Sequence, residues 1–145
     1  MGEFYTRKRL RLKDFDYKTN GMYFITICTK NKKHLFGHIN LENDATTILN
    51  NNGKTVEKHI TKIPEVINHI IMPNHIHLIL ELNNSNRDLY NIIRVFKSYV
   101  SKELGFSPWQ RSFHDRIIRN EKEFEYIWDY VKHNPERWRE DTYFK

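Results

Sequence analysis

Val66-Ile67-Asn68-His69-Ile70-Ile71-Met72-Pro73-Asn74-His75-Ile76-His77-Leu78-Ile79-Leu80-Glu81-Leu82 holds two apolar runs split by a Pro-Asn dipeptide. Aliphatic and β-branched residues dominate both runs, and Pro73-Asn74 breaks them, so they read as two strands joined by a turn. The second run alternates. Ile76, Leu78, Leu80 and Leu82 point one way, while His75, His77, Ile79 and Glu81 point the other. One face therefore needs an apolar layer, and the opposite face carries two imidazoles roughly 7 Å apart at the backbone.

Upstream, Gly21 to Thr29 is β-branched and aromatic and predicts a strand. Asn31-Lys32-Lys33 turns the chain, and His34 to Ile39 predicts a second strand. Asp44 or Thr46 is placed to cap a helix running toward Ile63, with Ile48, Leu49, Val56 and Ile60 inward and Pro64 as its stop. Asn50 to Gly53 is poor material for a helix interior. Downstream, Asn83 to Asn86 is a polar turn, and Leu89, Ile92, Ile93, Phe96, Val100 and Leu104 recur at helical spacing up to Gly105. Phe113 to Ile118 predicts a fifth strand, and Glu121 to His133 a third helix ended by Asn134-Pro135. The order ββαββαβα, without repeats or a low-complexity linker, points to one α+β domain over residues 1–145. Its expected form is a ferredoxin-like antiparallel sheet covered by helices.

Composition narrows the function classes. The 145 residues carry 24 Lys and Arg against 18 acidic residues, a net charge of +6, with 9 Phe, 8 Tyr and 3 Trp. Mean hydropathy is −0.76, yet that aromatic content is enough for a core and argues against disorder. No apolar run approaches the roughly 20 residues of a membrane span. Cys28 stands alone, which excludes a disulfide scaffold and suits a reducing cytoplasm. Charge close behind Met1 predicts no signal peptide, and Met1, Gly2 and Thr6 satisfy a myristoylation pattern that nothing else supports. A basic, aromatic-rich domain suggests a nucleic-acid partner.

Eight histidines make a chance His-x-His common, so the spacing alone proves little. The fixed strand adds weight: it holds His75 and His77 together as candidate ligands for one divalent ion. On the third helix Tyr126, Tyr130, His133 and Asn134 share a stripe, while Phe124, Ile127, Trp128 and Val131 form an apolar one. Alone, that helix is better read as a polar, partly exposed face. Together with the histidines it suggests phosphoryl chemistry: a tyrosine hydroxyl attacks phosphorus well when a metal neutralises and orients the phosphate. Two neutral histidines and an Asn134 amide oxygen would leave that ion its charge. Mg²⁺ or Mn²⁺ fits the phosphate, and Zn²⁺ fits the ligands alone.

At this point the chain resembles a known family, the single-tyrosine HUH transposases (IS200-like), in their REP-associated branch. The matching residues are Arg7-Lys8, Arg11-Leu12, Asp16-Tyr17, Gly21 to Thr29, Leu35-Phe36-Gly37 and Met72-Pro73-Asn74-His75-Ile76-His77, the HUH motif. They continue with Trp109-Gln110, Phe113-His114-Asp115, Ile118-Arg119-Asn120 and Tyr130-Val131-Lys132-His133-Asn134-Pro135. In order and across nearly the whole chain, the combination is far more specific than any piece. The resemblance implies the HUH-type ferredoxin-like fold, Tyr130 as nucleophile, His75 and His77 as metal ligands, and Asn134 as the polar residue one turn on. In the wider family that last position is often glutamine, and asparagine reaches less far. The implied reaction cleaves single-stranded DNA at hairpin-forming repeats, leaves a 5′-phosphotyrosine and a free 3′-hydroxyl, and reverses on rejoining.

Tyr126 and Tyr99 compete for the nucleophile's role; Tyr126 lacks an asparagine one turn on, and Tyr99 flanks an apolar face. His114 and Asp115 suit a ligand-orienting or DNA-contacting role no better than a structural one, and His133 reads as solvated. For DNA, candidates are a basic arm over residues 1–15 with Arg7, Lys8, Arg9 and Arg11, then Arg119, then Lys30, Lys32, Lys33, Arg94, Lys97 and Lys102. The partner expected is hairpin-repeat DNA, with no membrane; the chain is a monomer or homodimer in the cytoplasm, nucleoid-associated when DNA-bound. The rival reading is a ferredoxin-like nucleic-acid-binding module without chemistry.

Overall fold

Pairing across the central strands organises the molecule. The computed structural model describes residues 20–42, 45–83 and 87–140. The basic arm with Arg7, Lys8, Arg9 and Arg11, the Asp44 cap, and the tail residues Tyr143 and Phe144 lie outside them. Strand β1 (Gly21–Cys28) pairs antiparallel with β5 (His75–Leu82) along its length, from Gly21 opposite Leu82 to Cys28 opposite His75. Strand β4 (Val66–Met72) flanks β5, and β6 (His114–Ile118) flanks β1, so the sheet order is β4-β5-β1-β6 with every pair antiparallel. Helix α1 (Asn51–Ile60) lies in the chain between β1 and β4, and α2 (Leu89–Leu104) between β5 and β6. This is the expected ferredoxin-like α+β arrangement.

The predicted alternation on β5 holds. Ile76, Leu78, Leu80 and Leu82 join Tyr23, Ile25 and Ile27 of β1 in a core closed by Val56 and Ile60 of α1 and by Ile92, Ile93, Phe96 and Val100 of α2. Ile79 faces the other way with Met22 and Ile118, under Ile127 and Val131 of α3 (Glu121–Lys132). Burying those last two side chains contributes about 3–6 kcal/mol together. The exposed Arg116 and Arg119 pairs with Glu123 are worth less than that. Apolar packing therefore fixes α3 on the histidine face, and the ion pairs tune its start.

Two predicted elements change. The second strand is Gly37–Asn40 rather than His34 to Ile39, and it pairs outside the main sheet with Thr46–Leu49, as strands β2 and β3. Residues from Thr46 are thus not helical. Thr46-Thr47-Ile48-Leu49 is rich in β-branched residues and alternates exposed with half-buried positions, and its ladder with β2 outweighs weak helix propensity. The helix begins only where Asn50 caps it, its Oδ1 accepting from the Gly53 N–H at 2.9 Å. Asp88 and Asn120 cap α2 and α3 in the same way, and Gly105, at φ 84°, closes α2.

Gly53 explains why a poor helix former sits in that first turn. A Cβ built there would lie 2.2 Å from the Phe36 carbonyl oxygen, a backbone atom that cannot swing aside. Gly53→Ala is expected to destabilise the protein by about 1–3 kcal/mol although alanine favours helices. A urea midpoint equal to or above wild type would show that the hairpin yields at no cost.

Candidate active site

The two imidazoles sit on β5 at full burial, with ring centroids 4.7 Å apart. Each is oriented by a neighbour through Nδ1. His75 Nδ1 lies 2.8 Å from Asn74 Oδ1, and His77 Nδ1 lies 2.9 Å from Thr26 Oγ1 on β1. An amide oxygen only accepts, so His75 carries its proton on Nδ1 and has its lone pair on Nε2. The Nε2 atoms of both rings and Oδ1 of Asn134 are buried.

Burial pushes the His75 pKa down to about 3, with a hydrogen bond to Asn134 acting the other way. Burial, then the charge of His75, holds His77 well below the ordinary histidine value. Both rings are therefore neutral at pH 7, the form a metal needs. The unfolded chain binds protons near pH 6.5 that the folded chain refuses, so stability falls as pH drops below that value. The loss is up to about 1.4 kcal/mol per pH unit for each histidine. In EDTA the urea midpoint is expected to be lower at pH 5 than at pH 7, with a shallower dependence in His75→Gln. A flat wild-type midpoint across that range would overturn the assignment.

Tyr130 comes to the same place from α3. Its ring lies edge-on to His77, centroids 5.4 Å apart, and edge-on to Phe24 at 6.2 Å. Phe24 in turn stacks on His77 at 5.1 Å. Ile127 and Val131, buried beside Tyr130 in the chain, fix the rotation of the helix. Tyr126 is 70% exposed, so the shared stripe predicted for the two tyrosines splits: one faces the histidines, the other solvent. Tyr99 is also exposed, stacked on His59 across α1 and α2.

After α3 the chain tightens into a short 3₁₀ turn, Asn134–Glu140, which buries Asn134 and Trp138. Trp138 stacks on His75 at 6.3 Å and meets His34 edge-on at 5.4 Å. Sequence reasoning missed Thr26, Asn74 and Trp138. Thr26 had a findable signal, since its inward neighbours Ile25 and Ile27 put it on the histidine face; Trp138 had none.

The other candidates separate. His114 is exposed opposite Thr26, in a row running His114–Thr26–His77, whereas Asp115 pairs with Ile25 and so faces the α1–α2 side. His133 lies against Asp129 and Glu136 at 3.2 and 3.6 Å. Arg119 contacts Glu123 through its backbone N–H and its guanidinium, at 2.8 and 3.2 Å.

Among the described residues no cluster of three or more His, Cys, Asp or Glu is placed to hold a metal ion. The donor set on this face is two neutral imidazoles with an amide. That set suits a divalent cation that keeps its charge and open positions.

A ferredoxin-like sheet with a His-x-His pair beneath a helical tyrosine is the arrangement that the resemblance to the HUH transposases implies. No family model matches the chain. An uncharacterized protein of Haemophilus influenzae is 32% identical across 95% of this chain and 93% of its own length. A second protein of that organism, described as a candidate REP-associated tyrosine transposase, is 28% identical across 83% of this chain and 73% of itself. Among solved structures, a REP-associated tyrosine transposase bound to a REP hairpin superposes with a TM-score of 0.64 at 23% identity, covering 87% of this chain and 73% of that one. A candidate transposase from Deinococcus radiodurans gives 0.53 at 13% identity, covering 86% and 96%. In sequence and in fold this chain is similar to the REP-associated tyrosine transposases. That similarity supports a transposase role. Among the described residues no helix is long and apolar enough to cross a membrane.

Proposed function

We propose that the chain cleaves and rejoins single-stranded DNA through a covalent 5′-phosphotyrosine at Tyr130, acting at hairpin-forming repeats. The observation that carries this reading is the seating of the Tyr130 ring 5.4 Å from His77, beside the buried His75–His77 pair. The solved relative bound to a REP hairpin supports DNA of that kind as the substrate.

His75, His77 and Asn134 would hold a divalent cation, Mg²⁺ or Mn²⁺. When bound it would supply positive charge to a non-bridging phosphate oxygen. The Tyr130 oxygen attacks phosphorus, the bond from phosphorus to the 3′ oxygen breaks, and the freed 3′ oxygen takes up a proton as the phenol loses its own. Rejoining is the reverse, with a 3′-hydroxyl displacing the tyrosine, so the phosphodiester energy stays in the covalent link. Asn74 and Thr26 hold the imidazoles by their Nδ1 atoms, so the site is assembled before substrate arrives.

The test is a denaturing gel of the protein with labelled single-stranded oligonucleotides from the repeats flanking its gene, with and without Mg²⁺ or Mn²⁺. An SDS-stable adduct that needs the metal is expected. DNA binding without an adduct, over all repeats and both metals, would favour a binding module instead.

A further inference from the structure

On the α2 side of the sheet, a groove of about 550 Å³ opens between that helix and the connection that follows it, bringing together Lys30, Arg94, Lys97 and Arg111. An adjoining hollow of about 400 Å³ shares Arg94, Lys97 and Arg111 and adds Tyr90 and Phe113, whose rings are 5.3 Å apart. No acidic side chain lines either one among the described residues. The groove is held in shape: the Lys97 ammonium donates to the carbonyls of Gln110 and Arg111 at 2.9 and 3.2 Å, tying the connection to α2. Beneath it Trp109 is buried between Phe36 and Phe96.

Surface cations are usually just solvated, and several on this molecule are held by carboxylates. Arg87, Arg116 and Arg119 each have a carboxylate partner, and Lys58 has Glu103. Among the described residues no carboxylate pairs with Arg94 or Arg111; Arg94 donates only to the Asn91 amide oxygen. Like charges gathered in a concavity repel one another, and an anion relieves that repulsion. A plain anion site would not need the Tyr90–Phe113 pair, of which Tyr90 is 40% exposed. Aromatic rings beside a cationic groove suit bases that are free to stack.

We propose that this groove binds an unpaired nucleotide strand, with phosphates against Arg94, Arg111 and Lys30 and a base in the hollow at Tyr90 and Phe113. Its position extends the idea. Phe113 immediately precedes His114, which lies two strands from His77 in the row through Thr26, about 10 Å at the backbone. A strand leaving the tyrosine site would reach the groove by passing round the edge at β6. That continuity rests on the proposed reaction; binding in the groove does not.

The test is fluorescence anisotropy of the full chain with a labelled 12-nucleotide oligo(dT), across a salt series. Arg94→Ala/Arg111→Ala is expected to weaken binding at least about tenfold and to lower the salt slope by about 1.4. Tyr90→Ala is expected to cost about fivefold or more. The charge-matched control Lys54→Ala/Lys62→Ala, outside the groove, is expected to cost less than about twofold. Equal losses in the two double variants, no loss in either, or equal affinity for a 12-base-pair duplex would overturn the proposal. If the arginine double variant does not fold, Arg111→Gln alone decides, with about threefold loss expected and none overturning. Adduct formation is scored separately, so retained oligo(dT) binding without adduct counts against the tyrosine reaction and not against the groove.

Discussion

Tyr130→Phe is expected to abolish the covalent protein–DNA adduct and strand cleavage, a loss on the order of 10³-fold or more, while DNA affinity stays within about twofold. The substitution removes one oxygen and keeps the ring that packs on His77 and Phe24. The site's shape should therefore survive. Thermal unfolding and binding of the same oligonucleotide check this. Residual adduct in Tyr130→Phe would point to another tyrosine, and Tyr126→Phe, expected to be silent at its exposed position, identifies or excludes the nearest one. Loss of binding together with cleavage would make Tyr130 a structural residue.

The second large effect concerns the metal. His77→Ala or His75→Ala is expected to raise the Kd for Mn²⁺, followed by its electron paramagnetic resonance signal, by on the order of 100-fold or more. Thr26→Val and Asn74→Ala remove the partners of Nδ1 and leave the imidazoles in place, so losses of about 10–100-fold are expected. Graded losses in that order would distinguish ligands from the groups that orient them. Mn²⁺ affinity unchanged in both histidine variants would remove the pair from the metal site, whatever happened to cleavage.

Much of this site was legible because periodicity is a local property. Alternation along His75–Leu82 shows that the histidines oppose the core face, and that is what the folded β5 displays. The 3.6-residue period of α2 likewise identified its buried side, and on α3 it identified Ile127 and Val131, whereas Trp128 of the same predicted stripe is exposed. Where two local preferences were close, reading failed. From Thr46 a weak helix and a short strand compete, and only pairing with Gly37–Asn40, a contact across a loop, decides for the strand. The helical wheel also placed Tyr126 and Tyr130 on one stripe, yet a stripe is wide. The packing of Ile127 and Val131 turns Tyr130 toward His77 and leaves Tyr126 in solvent.

The sequence by itself determined the order of the four main-sheet strands and the three helices and the resemblance to a family, and it singled out the histidine pair and Tyr130 as candidates. Each of these is written in residues close together or in an ordered set of short motifs. Tertiary structure alone decided what surrounds them. Thr26 reaches His77 because β1 lies beside β5, and Trp138 covers His75 because a 3₁₀ turn folds back after α3. Lys30, Arg94 and Arg111 share a groove because the end of β1, α2 and the following connection converge. Such meetings depend on which distant segments bury each other's apolar faces, and no window of neighbouring residues records that outcome.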